Sequence, residues 1–358
     1  MNYQIPITQT TKPLWTKELV ERGEFGAVIS DHMFVSNYEN GNWINPKVVP
    51  YENLSLNPAT LALHYGQSVF EGMKAFKMQD GSISIFRIEK HLDRFNKSLN
   101  RMCMPTIPAD LFHAALLAFV KTDLNWVPEG EGHSLYIRPF VFASEARFGV
   151  KIADEYMFVI FAGPVGPYYG TPLKIKVETH FARATRGGAG FAKCAGNYGA
   201  SFFPTRLAKE EGFDQILWTD GRENKYIEES GTMNVMFIIN GTLITPSTSD
   251  SILDGITRDS ILSLTNEMDM PVEIKKISVD DLEKALKENQ AQELKEIELK
   301  LNEMFSKTRL IFEAHSFNQI PYLIDELENL LTEVGEYTQK QVERTRTTES
   351  SPKNTTLY

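Results

Sequence analysis

The sequence predicts a mixed α/β (α+β) chain of two domains, on three observations. Its 358 residues exceed one ordinary domain and fit two. Apolar stretches of strand character recur between segments with the three- and four-residue spacing of amphipathic helices. A run dense in Pro and Gly, Pro164-Val-Gly-Pro-Tyr-Tyr-Gly-Thr-Pro172, divides one set of such segments from the next. The expected domains are therefore 1–163 and 173–288, with 164–172 as the linker.

The elements follow in order. Met33-Phe34-Val35 and the turn Glu39-Asn40-Gly41-Asn42 read as a hairpin, and Val48 to Leu54 as a further extended piece. Leu61 to Phe76 sets Tyr65, Phe70 and Phe76 among Gly66 and Gly72. It reads either as a strand packed into the core or as a pocket wall carrying Tyr65 and Phe70. Asp80-Gly81 is a hairpin turn. Ile88 to Met102 is a helix with Leu92, Phe95, Leu99 and Met102 on one stripe. Arg94 lies off that stripe, where a solvated residue or a surface ion pair is the plain expectation. Ala109 to Thr122 is a second helix. Ser134 to Ala143 is strand-like, with Tyr136 and Arg138 on one face, and Tyr156 to Ala162 reads as a buried strand.

Beyond the linker, Leu173 to Glu178, Gln215 to Thr219, Val235 to Ile239 and Val272 to Ile277 read as strands. Asn197 to Glu211 reads as a helix, Asn240-Gly241 as a tight turn and Ser260 to Asn266 as a helix opened by Gly255-Ile-Thr-Arg-Asp259. That helix start is either an anion site or a plain capped end with Thr257 as the cap. Ser278-Val-Asp-Asp starts the next helix. Ala291 to Lys307 and Pro321 to Val334 read as acidic amphipathic helices within a 289–340 extension, and 341–358 as a disordered tail.

Composition narrows the function classes. Hydrophobic residues at 42% and charged residues at 23% are a globular balance able to bury a core without staples. A net charge of -10 argues against nucleic acid or an anionic membrane surface as partner, but leaves room for local sites for small anions. Cys103 and Cys194 form neither a C-x-x-C pair nor a disulfide framework, which points to a reducing compartment. Met1 to Thr11 lacks the pattern of a secretory signal, and no apolar run approaches the roughly 20 residues that span a bilayer. A cytoplasmic protein without a metal site is expected.

The stretch Arg183 to Ser201 is rich in Gly and Ala and holds one lysine, Lys193. It is either a flexible loop with a solvated amine, or a close-packed site where desolvation strips the amine of its charge and makes it a nucleophile toward a carbonyl.

Five separated motifs bear on that choice: Leu-His-Tyr-Gly-Gln-Ser-Val-Phe-Glu-Gly at 63–72, Tyr-Ile-Arg-Pro at 136–139, Lys-Cys-Ala-Gly-Asn-Tyr at 193–198, Glu-Ser-Gly-Thr-Met-Asn at 229–234 and Gly-Ile-Thr-Arg-Asp at 255–259. In this order they resemble the branched-chain amino-acid aminotransferases, which are fold type IV pyridoxal-phosphate enzymes. The resemblance covers about residues 1–285. It implies a two-domain fold type IV aminotransferase-like architecture with the cofactor between the domains, a homodimer or larger homo-oligomer, and small-molecule amino acids and 2-oxo acids as partners.

By resemblance, Lys193 is the catalytic lysine that forms the Schiff base with pyridoxal 5′-phosphate. Glu229 faces the pyridine nitrogen and Tyr198 the ring oxygen. Arg94 holds the phosphate with the amides of Ile256 and Thr257. Tyr65, Phe70 and Tyr136 surround the substrate side chain, Arg138 stands near its acidic groups, and Tyr168 covers the site. The implied reaction is transamination of Leu, Ile and Val with 2-oxoglutarate, giving 2-oxo acids and L-glutamate. A D-amino-acid aminotransferase or an aminodeoxychorismate lyase would share the lysine and the glutamate.

The chain departs from the family pattern after about Glu288. The Gly-Thr-Ala-Ala segment expected there, which completes the phosphate cradle, is not found, so 173–288 would be an incomplete cofactor domain followed by an atypical helical tail. From that departure comes a reading of another class, an inactive pseudoenzyme or fusion whose tail helices bind a partner.

Overall fold

The computed structural model describes residues 3–166, 173–268 and 270–288. The expectations for Tyr168, for most of the 164–172 linker, and for 289–340 and 341–358 lie outside the described residues. The chain forms two compact units. Described residues up to 166 group with Ala192–Gly196, and 173–191 group with the described residues from 197 onward. The short Lys193 segment thus belongs with the first unit, although it follows the expected linker.

The first unit is built on one seven-stranded sheet. Its strands are β1 (His32–Glu39), β2 (Asn42–Pro50), β3 (Ser68–Phe70), β4 (Met73–Lys77), β5 (Ile83–Ile85), β6 (Ser134–Ala143) and β7 (Tyr156–Val165). The order is β2-β1-β7-β6-β4-β5, with β3 also pairing β6, and every pairing is antiparallel. The β1–β2 turn puts Asn40 at φ 51° and Gly41 at φ 80°, the left-handed pair that a two-residue hairpin needs. Val48 proves to be part of β2 rather than of a separate piece. Strand β7 runs two residues into the expected linker.

Strand β6 carries Pro139 at its centre. On that edge β4 pairs with residues 135–137 and β3 with residues 140–142. Proline has no N–H for a ladder, so the edge is broken there. The Pro139 carbonyl instead accepts from Glu71 N–H at 2.7 Å. Glu71 therefore sits in the gap between β3 and β4.

Helices α1 (Lys17–Arg22), α2 (Leu61–Tyr65), α3 (Ile88–Arg101) and α4 (Ala109–Thr122) complete the unit. The expected stripes are buried: Leu92, Phe95 and Leu99 on α3, and Leu111, Ala115, Leu116 and Phe119 on α4. Phe34, Trp43, Phe95 and Phe112 gather around Phe158 of β7, with ring centroids 5.3–6.3 Å away. The strand reading of Leu61 to Phe76 is corrected at its start. Leu61–Tyr65 is one helical turn, ended by Gly66 at φ 69° whose N–H bonds Ala62 O. Five residues are too few for periodicity to separate helix from strand.

The second unit has two small sheets. Strands β8 (Ile175–Glu178), β9 (Gln215–Thr219), β10 (Ile227–Ser230) and β11 (Met233–Asn234) form one, and β12 (Phe237–Ile239), β13 (Thr242–Thr245) and β14 (Val272–Ile274) the other. The pairs β8–β9 and β13–β14 are parallel, and each needs a crossover. Helices α5 (Ala195–Gly199) and α6 (Phe202–Glu210) lie in the first crossover and α7 (Ile256–Glu267) in the second, with α8 (Val279–Glu288) following β14. The single helix expected over 197–211 is thus two, because Ser201 turns back to bond Tyr198 O through both N–H and Oγ. Leu217, Ile227, Ile244 and Ile277 form a core shared by both sheets. Ser278 and Asp281 cap α8 reciprocally, as the Ser-Val-Asp-Asp pattern predicts.

Candidate active site

Lys193 is bolted into the first unit by its backbone. Its carbonyl accepts from Phe70 N–H and its N–H donates to Ser98 Oγ, both at 3.0 Å, while Cys194 bridges Val69. These contacts tie it to β3 and α3 at once. Its Nζ stands 5.0 Å from the Phe70 ring centroid. Desolvation lowers the amine from its ordinary value, and the Arg94 charge adds to that, while Glu71 works in the opposite direction. Around Lys193 the stretch is packed, with Ala192 and Cys194 buried, whereas 185–187, 195–196 and 199–200 are exposed.

Arg94 is half-buried, at 11% side-chain exposure, despite lying off the apolar stripe of α3. The carboxylate that explains this is Glu71, fully buried at the β3–β4 gap. Arg94 Nε donates to Glu71 Oε1 at 2.7 Å and Nη2 to Oε2 at 2.9 Å. His91 Nδ1, one helical turn before Arg94, lies 2.9 Å from the same Oε2, and Gly72 N–H donates to it at 3.2 Å. Burial alone would raise the Glu71 carboxyl. The Arg94 charge and hydrogen bonds, with those of His91, outweigh it and hold the group far below the usual carboxylate range.

Tyr136 and Arg138 share one face of β6, as their spacing predicts. Arg138 Nη2 donates to Tyr136 Oη at 3.2 Å, and its guanidinium lies 4.7 Å from the Phe70 centroid. Arg138 Nε is buried without a hydrogen-bond partner. Gly72 permits this packing, since a Cβ there would stand 1.8 Å from Tyr136 Oη. Lys193, Arg94, Phe70, Tyr136 and Arg138 thus converge within one unit. Tyr65 ends α2, 41% exposed and packed on His64.

The second unit holds Tyr198, Glu229, Ile256 and Thr257. Glu229 Oε1 accepts from Leu253 N–H at 2.7 Å, and Arg183 Nε stands 3.0 Å from Oε2 as a buried ion pair. At the other end of the same motif, Asn234 Nδ2 donates to Leu253 O at 2.8 Å. Both ends of 229–234 therefore grip one residue, Leu253, just before α7. A Cβ on Gly255 would stand 1.8 Å from Asn234 Oδ1, so the approach requires glycine. Helix α7 starts at Ile256, earlier than the Ser260 expected. Gly255 is the cap residue and Thr257 lies inside the helix. A helix start in general presents amides that the helix itself does not use, a condition for holding an anion. Tyr198 lies in α5 and its carbonyl anchors the Ser201 turn.

Residue-by-residue reading passed over Glu71, His91 and Arg183. Glu71 had a signal, a carboxylate between Phe70 and Gly72 in an apolar run. Arg183 stands at the head of the Gly-rich stretch, and nothing local marks its partner. No group of three His, Cys, Asp or Glu among the described residues could hold a metal.

The Amino-transferase class IV family model matches residues 68–288. Branched-chain-amino-acid aminotransferase 2 of Bacillus subtilis (strain 168) is 43% identical over 294 residues, covering 81% of this chain and 80% of the relative. Branched-chain-amino-acid transaminase 1 of the same strain is 46% identical over 263 residues, covering 72% of this chain and 74% of the relative. Among solved structures, a branched-chain amino acid aminotransferase from T.th., determined with pyridoxamine 5′-phosphate, superposes with a TM-score of 0.56 at 28% identity, covering 69% of this chain and 78% of that one. A shielded lysine amine inside a matched stretch of this length leaves one conclusion: the chain belongs to the class IV aminotransferases, on their branched-chain amino-acid branch.

Proposed function

We propose that the protein transfers the amino group of L-leucine, L-isoleucine and L-valine to 2-oxoglutarate, giving branched-chain 2-oxo acids and L-glutamate, with pyridoxal 5′-phosphate as cofactor. The donor set fits that group. An aldehyde calls for a shielded amine, which is Lys193. A protonated ring nitrogen calls for a buried carboxylate, which Arg183 braces at Glu229. A phosphate calls for a guanidinium and a helix start, for which Arg94 and the amides of Ile256 and Thr257 qualify.

When bound, the cofactor supplies an electron sink for the substrate α-carbon. Lys193 Nζ would hold its aldehyde carbon and, once displaced by the substrate amine, move the α-proton as a base of lowered proton affinity. Glu229 would hold the ring-nitrogen proton, and Tyr198 would donate to the ring oxygen. Phe70 and Tyr136 would exclude water around an apolar side chain, with Tyr65 as a further wall. The unpartnered Arg138 Nε offers a donor to a substrate carboxylate, which suits the alternation between leucine and glutamate.

The lowered Lys193 amine carries this reading. Full-length protein loaded with cofactor should form glutamate from L-leucine and 2-oxoglutarate, and Lys193→Ala should abolish it. No glutamate from the loaded wild-type chain would sink the proposal in favour of an inactive relative. Amino transfer from D-alanine in place of L-leucine would favour a D-specific enzyme.

The partner we infer besides these small molecules is a second copy of the chain. Phe148 at 95% and Val150 at 84% exposure are apolar side chains suited to cover. No helix among the described residues is long and apolar enough to cross a membrane. The two free cysteines support a cytoplasmic setting.

A further inference from the structure

We propose that Glu71, with His91, is a positioning residue for the cofactor phosphate, acting through Arg94. The proposal rests on the reading of Arg94 as a phosphate partner. Glu71 takes one edge of the guanidinium through Nε and Nη2. A planar fork gripped along one edge has its plane fixed, and the donors of the opposite edge then point one way only. His91 Nδ1 and Gly72 N–H hold the carboxylate itself, so the clamp cannot swing with the arginine. Glu71 N–H is in turn fixed to Pro139 O at the β3–β4 gap.

A charge argument points the same way. Arg94 and Lys193 are like charges in one shielded site, and each disfavours the other. Glu71 supplies a compensating negative charge along the Nε edge of Arg94. It pairs with Arg94 from the side and leaves the Lys193 amine facing the Phe70 ring.

The test compares two ligands on the cofactor-free full chain: pyridoxal 5′-phosphate, and pyridoxal, which lacks the phosphate. Binding is followed by the absorbance of the lysine-linked ligand. Glu71→Gln, nearly isosteric, should weaken pyridoxal 5′-phosphate by about tenfold or more and pyridoxal by less than about threefold. Glu71→Asp should restore part of the loss. His91→Gln keeps the carboxylate–guanidinium pair and should show the same selectivity at about threefold. Should Glu71→Gln fail to fold, the Asp and His91 variants carry the comparison. Equal losses for both ligands, or no loss for either, would overturn the clamp. Arg94→Gln separates the two claims. If it weakens both ligands equally, the reading of Arg94 is wrong. If it is selective while the Glu71 and His91 variants are not, only the clamp is wrong.

Discussion

Two buried glutamates in this protein are each held by an arginine, Glu71 by Arg94 and Glu229 by Arg183. Glu228 is not so held, although it adjoins Glu229 on β10. Its Oε1 accepts from the Ser251 hydroxyl, and its Oε2 is buried without a hydrogen-bond partner. Burial raises this carboxyl above its ordinary 4.5, with the Ser251 bond only partly offsetting it. The folded state therefore binds the proton more tightly than the unfolded chain. Stability is fully present below about pH 4.5 and declines as pH rises toward the folded value. Glu228→Gln keeps the acceptor for Ser251 and cannot ionise. Its melting temperature should stay near that of the wild type at about pH 4 and exceed it increasingly toward about pH 7. A difference that does not change with pH would show that Glu228 ionises normally. At this scale the sequence was only partly readable. The type and place of Lys193 were visible, but periodicity put Arg94 in solvent or in a surface ion pair, because its carboxylate lies 23 positions away, between β3 and β4.

At the scale of elements, the turns were the most readable feature. Asn40-Gly41 and Asn240-Gly241 both adopt the left-handed pair that their types favour. The long amphipathic helices also follow from their stripes, because burial of an apolar face dominates their placement. Short elements were harder to read. The turn of α2, the split between α5 and α6, and the early start of α7 each depend on one or two backbone hydrogen bonds that no period announces. The β3–β4 gap is the element-scale feature with chemical consequence, since Gly72 admits Tyr136 there. Gly72→Ala would push a Cβ onto Tyr136 Oη, and the shift would pass to Arg138 through their 3.2 Å bond. We expect kcat/KM for L-leucine to fall about tenfold or more, because a displaced Arg138 misaligns the site, and overpacking to cost roughly 1–3 kcal/mol of folding stability. Unchanged steady-state kinetics would show that the strand edge yields instead of the side chain.

At the scale of the molecule, each unit has its own core, and the first is the aromatic one. Phe158 is fully buried at its centre. Phe158→Ala should cost about 3–5 kcal/mol in denaturant unfolding. A loss below about 1 kcal/mol would mean that the surrounding rings collapse into the space. The mixed α/β class and the family were readable from the ordered motifs, and the family match over 68–288 agrees. The pairing of strands was not, because β6 joins β4, β3 and β7 across long separations.

By itself the sequence determined the local geometry and the chemistry on offer: the hairpin turns, the helix stripes, the single lysine in a Gly-rich stretch, and the motifs that identify the family. Only the tertiary structure decided which charges meet. Burying a charge is unfavourable unless a partner arrives from elsewhere in the chain. That partner is Glu71 for Arg94 and Arg183 for Glu229, and neither pair leaves a trace in local spacing. The lowered proton affinity of Lys193 has the same origin, since it depends on what the fold packs around the amine.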